Sequence, residues 1–243
     1  VVHPVQVLAR QDQDVLHPRL GELVQLLPDR VGRALVPVHR SVGLLRGEHL
    51  DEALAAIRGM KDDPLANAGT NVVISRGNPK ARLLLIGEAP GPQENIKGKP
   101  FVGPAGQLLD KILQGGNFDP EQDVYITNSV FRLPPGTDGK SFRKPTDAEV
   151  EYYRPFVFEI IRLVDPLVIL LTGNVACQSV LKKTGITSLR GQWIQFDGRW
   201  LMPIFHPSYL LRNQSREPGS PKSLMWEDIK EARRKYDELV GSL

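Results

Sequence analysis

Along this 243-residue chain the spacing of apolar positions alternates between two periods. Leu50–Arg58 carries apolar residues at helical spacing, the signature of one buried helix face. Ala81-Arg-Leu-Leu-Leu-Ile86 is a short apolar run that ends in Gly-Glu-Ala-Pro-Gly, which predicts a buried strand entering a turn. Gly106–Leu113 returns to helical spacing, and Val124-Tyr-Ile-Thr-Asn128 predicts a second strand. A long helix is expected within Pro145–Leu163, begun by Pro145-Thr146-Asp147. Leu167-Val-Ile-Leu-Leu171 predicts a third strand, and Thr172-Gly173-Asn174 leads from it into a helix through Leu181. Trp200–Phe205 is the fourth expected strand and Ser223–Leu239 a closing helix. Strands alternating with helices predict an α/β fold, a single three-layer α/β/α domain around a central, mainly parallel four-stranded sheet. Ligands bind such sheets at the carboxyl ends of the strands. The segments after Ile86, at Asn128 and after Phe205 all lie there, so they can converge in space.

The first 47 residues break the pattern. They contain no Lys, Ile, Phe, Tyr, Trp, Asn or Thr, and we read residues 1–47 as an N-terminal extension ahead of a domain over residues 48–243. Weak amphipathic helices are expected around Arg19–Leu27 and Ser41–Leu45. His3, His17, His39 and His49 cluster early in the chain. Their spacing is wide and irregular, with no carboxylate or thiolate at ligand intervals, so no metal site is expected. The extension is given no function.

Composition excludes several classes. Hydrophobic residues make up 41% and charged residues 24%, ordinary values for a folded globular chain. No apolar run reaches the roughly 18 residues that span a bilayer, and no basic segment precedes a continuous apolar core, so neither membrane association nor a signal peptide is expected. Cys177 is the only cysteine; it can make no intramolecular disulfide and supply no thiolate cluster, and is expected to pack in a helix. A reducing, cytoplasmic location fits this usage. A formal charge of +3 is compatible with a polyanionic partner. The basic stretches Lys140–Lys144 and Arg212–Arg216 lie in loop-like sequence and, read alone, are solvated loops.

Chemistry concentrates at the strand ends. Gly87-Glu88-Ala89-Pro90-Gly91 places a carboxylate in a turn where glycine permits close backbone approach and proline fixes φ; alone it reads as an ordinary strand exit. Gly98-Lys-Pro-Phe101-Val-Gly103-Pro-Ala-Gly106 sets one aromatic among three glycines and two prolines, either a core residue or a plate for a planar ligand. His206-Pro-Ser208-Tyr209-Leu210-Leu211-Arg212 follows the last strand. It combines an imidazole with a hydroxyl, two leucines and a cation, the residue types of a phosphate contact, a wedge and a backbone clamp.

In this order, Gly-Glu-Ala-Pro-Gly, Gly-x-Pro-Phe-Val-Gly-x-Ala-Gly, Thr-Asn128 and His-Pro-Ser-x-Leu-Leu-Arg, the chain resembles the uracil-DNA glycosylase superfamily, most closely its family 4. The resemblance runs from about Leu50 to Tyr236. It implies excision of uracil from DNA by cleavage of the N-glycosidic bond, with uracil-containing DNA as partner, in a monomer near the nucleoid. Glu88 would sit beneath the sugar, stabilise its oxocarbenium charge and position water. His206 would donate to uracil O2. Phe101 would stack on the base, and Asn128 would accept from N3–H and donate to O4, the opposite of what cytosine requires. Glu94 would crowd the base at C5, and the backbone at Gly87 and Ala89 would contact it. Ser208, Tyr209, Leu210 and Arg212 would form a loop that wedges into DNA and grips phosphate.

Family 4 enzymes typically hold an iron–sulfur cluster on four cysteines. Alignment on the neighbouring motifs puts Met60, Asp63, Arg132 and Tyr153 at those positions, so no cluster and no other cofactor is expected. The segment Gly136–Lys144 is longer than the family norm and lacks the histidine with which a related branch forms a covalent adduct with DNA, so that chemistry is not expected. Alternatives are a catalytically silent DNA-binding relative, a glycosylase of broader deaminated-base scope, and a nucleotide-binding α/β enzyme. No phosphate-cradling glycine motif follows the first strand to support the last.

Overall fold

The computed structural model describes residues 49–138 and 141–242. The proposed extension, with its two expected helices and His3, His17 and His39, lies outside the described residues, as do Gly139 and Lys140 of the longer loop.

The order of elements is α1 (Leu50–Arg58), β1 (Ser75–Gly77), β2 (Leu83–Gly87), α2 (Pro92–Lys97), α3 (Pro104–Gly115), β3 (Val124–Asn128), α4 (Asp147–Val164), β4 (Val168–Thr172), α5 (Gly173–Leu181), α6 (Ile186–Leu189), β5 (Ile194–Phe196), β6 (Arg199–Ile204), α7 (Pro207–Arg212) and α8 (Pro221–Val240). They build one sheet of order β1-β3-β2-β4-β6-β5. The four expected strands are its parallel centre, β3-β2-β4-β6. The expected count of four is corrected to six, because β1 and β5 pair antiparallel to the outer edges. Each edge strand has only three residues, too few to show a period.

Buried strands of this type are apolar on both faces, and here successive residues divide cleanly between two cores. Leu84, Ile86, Ile169 and Leu171 pack with α1, α4 and α5. Leu83, Leu85, Val124, Ile126, Leu170 and Met202 pack with α3, α7 and α8. Three layers follow. The alternation also determines where the strand ends face: Gly87 and Asn128 continue the second set, towards α3 and α7.

The helix ends follow local rules. Thr146 caps α4 by accepting from the Glu149 N–H, and the Glu149 carboxylate accepts from the Thr146 N–H at 2.7 Å, a reciprocal capping box. Arg143 holds the same carboxylate through two bonds of 2.7 and 2.6 Å. This anchors the end of the longer loop where it enters α4. Cys177 is buried in α5 as expected.

Candidate active site

Three strand ends bring the candidate residues together. Gly87 closes β2 and is paired in register with Asn128, which closes β3. His206 lies two residues past β6 and caps α7. Gly173, the first residue of α5 directly after β4, lies behind it: a Cβ there would lie 3.2 Å from the His206 Cβ, so this strand-to-helix junction backs the imidazole.

Gly87 is glycine because the space above it belongs to other side chains. A Cβ would lie 2.5 Å from Phe101 Cζ and closer still to Asn128 Oδ1. Glycine, amide and phenyl ring therefore share one small volume. The Gly87 carbonyl is tied down by the Ser129 N–H at 2.9 Å and the Ser129 hydroxyl at 2.7 Å, and the Glu88 carbonyl accepts from the Val130 N–H at 3.0 Å.

Asn128 is 1% exposed, and its Oδ1 has no hydrogen-bond partner. A buried acceptor left without a donor costs about 1–3 kcal/mol. Native proteins rarely retain one without a use for it.

Phe101 holds a left-handed backbone, φ 53°, a conformation that costs about 1–3 kcal/mol in a non-glycine residue. Two features hold it there. Buried Arg76 donates from Nε to the Pro100 carbonyl at 3.0 Å and from a terminal nitrogen to the Phe101 carbonyl. Gly106 at the start of α3 passes so close that any Cβ would strike the Phe101 backbone. The phenyl ring then stands 5.8 Å from the His206 ring, centroid to centroid.

The tautomer of His206 is set locally. Its Nδ1 accepts from the Ser208 N–H at 3.2 Å and lies 2.8 Å from the Ser208 hydroxyl. A backbone N–H can only donate, so Nδ1 is unprotonated and the proton of the neutral ring is on Nε2. Burial, then the cations Arg212 and Lys144, hold the imidazole pKa down to about 4, against a weaker opposite pull from Glu94. At neutral pH His206 is an uncharged donor.

Glu88 and Ala89 follow Gly87 and are half-buried. Burial raises the Glu88 pKa above the usual carboxylate range, and Lys144 partly offsets this. Lys144, an ordinary loop cation by sequence, thus acts electrostatically on both Glu88 and His206.

Glu94 is engaged with the backbone. One carboxylate oxygen accepts from the Val102 and Gly103 N–H groups at 2.9 and 2.7 Å, the other from the Gly91 N–H at 3.1 Å. In this arrangement it joins α2 to the Phe101 loop.

The expected DNA loop is the short helix α7, and one of its residues faces the other way from the sequence expectation. Leu210, expected to contact DNA, is 1% exposed and belongs to the core; Leu211 points outward at 38%. One turn of helix directs neighbouring leucines differently, which a loop reading does not anticipate. Ser208 orients the imidazole, as above. Tyr209 is exposed, with its ring 5.2 Å from Phe205, and Arg212 is exposed at the end of the helix. Sequence reading also missed Arg76, Ser129 and Gly173. Gly173 alone left a usable signal, a glycine between a strand and a helix at the sheet's carboxyl edge.

The four positions aligned with cluster cysteines also come together. The Asp63 carboxylate accepts from Arg132 Nε at 2.6 Å and from the Tyr153 hydroxyl. Met60 places its sulfur 3.8 Å from the Tyr152 hydroxyl, and the Tyr152 ring is edge-on to Tyr153 at 5.2 Å. Among the described residues no group of three or more His, Cys, Asp or Glu is arranged to hold a metal.

Similarity to known proteins bears on the family. The family model of the uracil DNA glycosylase superfamily matches residues 74–230, a span that holds every candidate named from Gly87 to Arg212. The type-4 uracil-DNA glycosylase of Thermotoga maritima is 39% identical over 173 residues, covering 70% of this chain and 85% of that protein. The type-4 enzyme of Archaeoglobus fulgidus is 35% identical over 181 residues, 70% of this chain and 87% of its own length. That of Saccharolobus solfataricus is 32% identical over 175 residues, 68% and 79%. By fold, by the convergence of its strand ends and by this similarity, the chain belongs to the uracil DNA glycosylase superfamily.

Proposed function

We propose that this chain is a uracil-DNA glycosylase, which draws a uracil nucleotide out of DNA and hydrolyses its N-glycosidic bond to leave an abasic site. The observation that carries this reading is the unpartnered Asn128 Oδ1, buried against Gly87 and the Phe101 ring. Uracil offers a donor, N3–H, to that acceptor and a flat face to that ring. Cytosine presents an acceptor at N3 and would face the same oxygen with a repulsive lone pair. The base must leave the stack, which costs a few kcal/mol.

Bond cleavage separates charge, positive on the sugar and negative on uracil. Ionised Glu88 beneath the sugar stabilises the first and orients the attacking water. Neutral His206, with its proton on Nε2, donates to O2 as the second develops. Because the imidazolium loses its extra proton near pH 4, the ring is neutral at working pH, and its Nε2–H, a very weak acid, offers a hydrogen bond without transferring its proton. Backbone at Gly87 and Ala89 lines the base, and Glu94, by fixing α2 to the Phe101 loop, shapes the C5 side. Arg212, Tyr209 and Ser208 lie on the α7 face that would meet DNA, with Leu211 as the wedge.

The reading requires no cofactor. An iron–sulfur cluster is held by thiolates; the aligned positions offer a thioether, an ion-paired carboxylate, a guanidinium and a hydrogen-bonded phenol. Those residues do not fit such a group, and a guanidinium there repels a metal. No described helix is long and apolar enough to cross a membrane. We read the protein as a monomer acting at the nucleoid.

The test is an oligonucleotide carrying one uracil, single-stranded or paired with G or A, incubated with the protein in EDTA and then treated with alkali. Strand cleavage at uracil that is lost in Glu88→Ala and Asn128→Ala variants is expected. Intact strands alongside measurable DNA binding would overturn the enzymatic reading.

A further inference from the structure

Asp63, Arg132 and Tyr153 come from three separate stretches, the chain after α1, the segment after β3 and the second turn of α4. The Asp63 side chain is 2% exposed and that of Arg132 14%. Asp63 also accepts from the Leu65 N–H at 2.9 Å, and Arg132 also donates to the Thr70 carbonyl. The carboxylate thus receives three donors, and the cation is matched. Polar networks satisfied in this way select one arrangement of the chain, even where they add little net stability.

This network reaches the active site through a short continuous path. Arg132 lies four residues beyond Asn128. Between them, Ser129 and Val130 bond to the Gly87 and Glu88 carbonyls, and the Phe131 carbonyl accepts from the Val73 N–H at 2.8 Å. The Phe131 ring packs edge-on to Tyr153 at 5.3 Å. A displacement of Arg132 is therefore passed to both the amide that reads the base and the loop that carries Glu88.

We propose that Asp63, Arg132 and Tyr153 are positioning residues for uracil excision, a metal-free staple that fixes the segment from Asn128 to Arg132 and the Glu88 loop against α4. The inference rests on the functional reading above. It assigns to an ion-pair network the place where the family resemblance puts four thiolates.

The test is Asp63→Asn in the full chain, which keeps shape and one acceptor but removes the charge, with Arg132→Met and Arg132→Lys beside it. Amide hydrogen exchange is expected to accelerate at residues 86–90 and 128–134 and to stay unchanged at 168–172 and 200–204. Well below the melting temperature, kcat should fall on the order of tenfold with KM nearly constant, since small misplacement of reacting groups is felt mainly in the transition state. Arg132→Lys should recover part of the loss that Arg132→Met suffers. Exchange that does not change at 128–134, or that accelerates while kcat holds, would overturn the proposal, as would stoichiometric iron in the wild-type protein. Should Asp63→Asn fail to fold, Tyr153→Phe keeps the ion pair, removes one hydroxyl and is read in the same way. A wild-type protein inactive on uracil would defeat the functional reading alone, and the exchange pattern would still decide whether the network governs the Asn128 segment.

Discussion

The strand-end site and the Asp63–Arg132–Tyr153 network are both polar clusters taken out of water, and they are completed in opposite ways. In the network the carboxylate accepts three donors and the guanidinium faces two acceptors. At the site the Asn128 oxygen has no donor, Phe101 holds a left-handed backbone, and among the described residues nothing hydrogen-bonds the Glu88 carboxylate. The contrast separates two uses of buried polarity. A closed network selects a conformation, whereas an open one retains unmet valence that a ligand can complete.

The largest expected effect tests that contrast on stability. Asp63→Ala leaves Arg132 as an unpaired, mostly buried cation and should lower the unfolding free energy by about 3–5 kcal/mol. Asn128→Ala removes an acceptor that is already unpartnered, so its unfolding free energy should stay the same or rise slightly. Denaturant melts of the two variants side by side make the check. Equal destabilisation would erase the distinction.

The next effect is on rate. His206→Ala removes a donor aimed at developing charge and should cost about 2.7–4 kcal/mol of transition-state stabilisation. Ser208→Ala should cost far less, on the order of 1 kcal/mol, because the Ser208 N–H still holds Nδ1 as an acceptor. Single-turnover excision rates distinguish the two. Comparable losses would show that the hydroxyl, not the backbone, sets the tautomer.

The pH dependence sharpens the same point. Glu88 must be ionised to stabilise the sugar cation, and burial raises its pKa, so kcat/KM should fall as pH drops through that raised value. The limb lies at higher pH than an exposed glutamate would give. Lys144→Ala removes the charge that opposes the shift and should move the limb higher still. His206, held to about 4, should add no limb of its own between pH 5 and 8. A limb near 6.5 that disappears in His206→Ala would mean that the imidazolium takes part.

The sequence made the central sheet and most of the site legible because each rests on a local signal. Four apolar runs of strand length predicted the four parallel strands, and short motifs carried Glu88 in the glycine-bounded turn after β2, Phe101 between Gly98 and Gly103, and His206 just past β6. What stayed hidden depends on partners distant in sequence. Ser-Arg-Gly77 becomes an edge strand only because β3 offers it a ladder. Arg76 looks like a surface cation until it meets Pro100, Phe101, Asp110 and Glu121. The four aligned cluster positions could be recognised as lacking cysteine, but no pattern in the chain indicated that three of them pair with one another. The division of Leu210 and Leu211 between core and surface required knowing that a six-residue helix starts at Pro207.

That last division gives the smallest expected effect. Leu211 is 38% exposed at the end of α7, beside the unburied Arg212. Removing its side chain should change stability by no more than about 0.5 kcal/mol, as for most surface positions. If Leu211 fills the gap left by a flipped base, Leu211→Ala should slow excision several-fold from double-stranded DNA. It should leave single-stranded DNA almost untouched, because only the duplex has a paired stack for the leucine to hold open. Parallel kcat/KM measurements on the two substrates read the difference directly. Equal losses on both would move Leu211 from wedge to general DNA contact, and no loss on either would leave α7 to act without a leucine wedge, its one cation being Arg212.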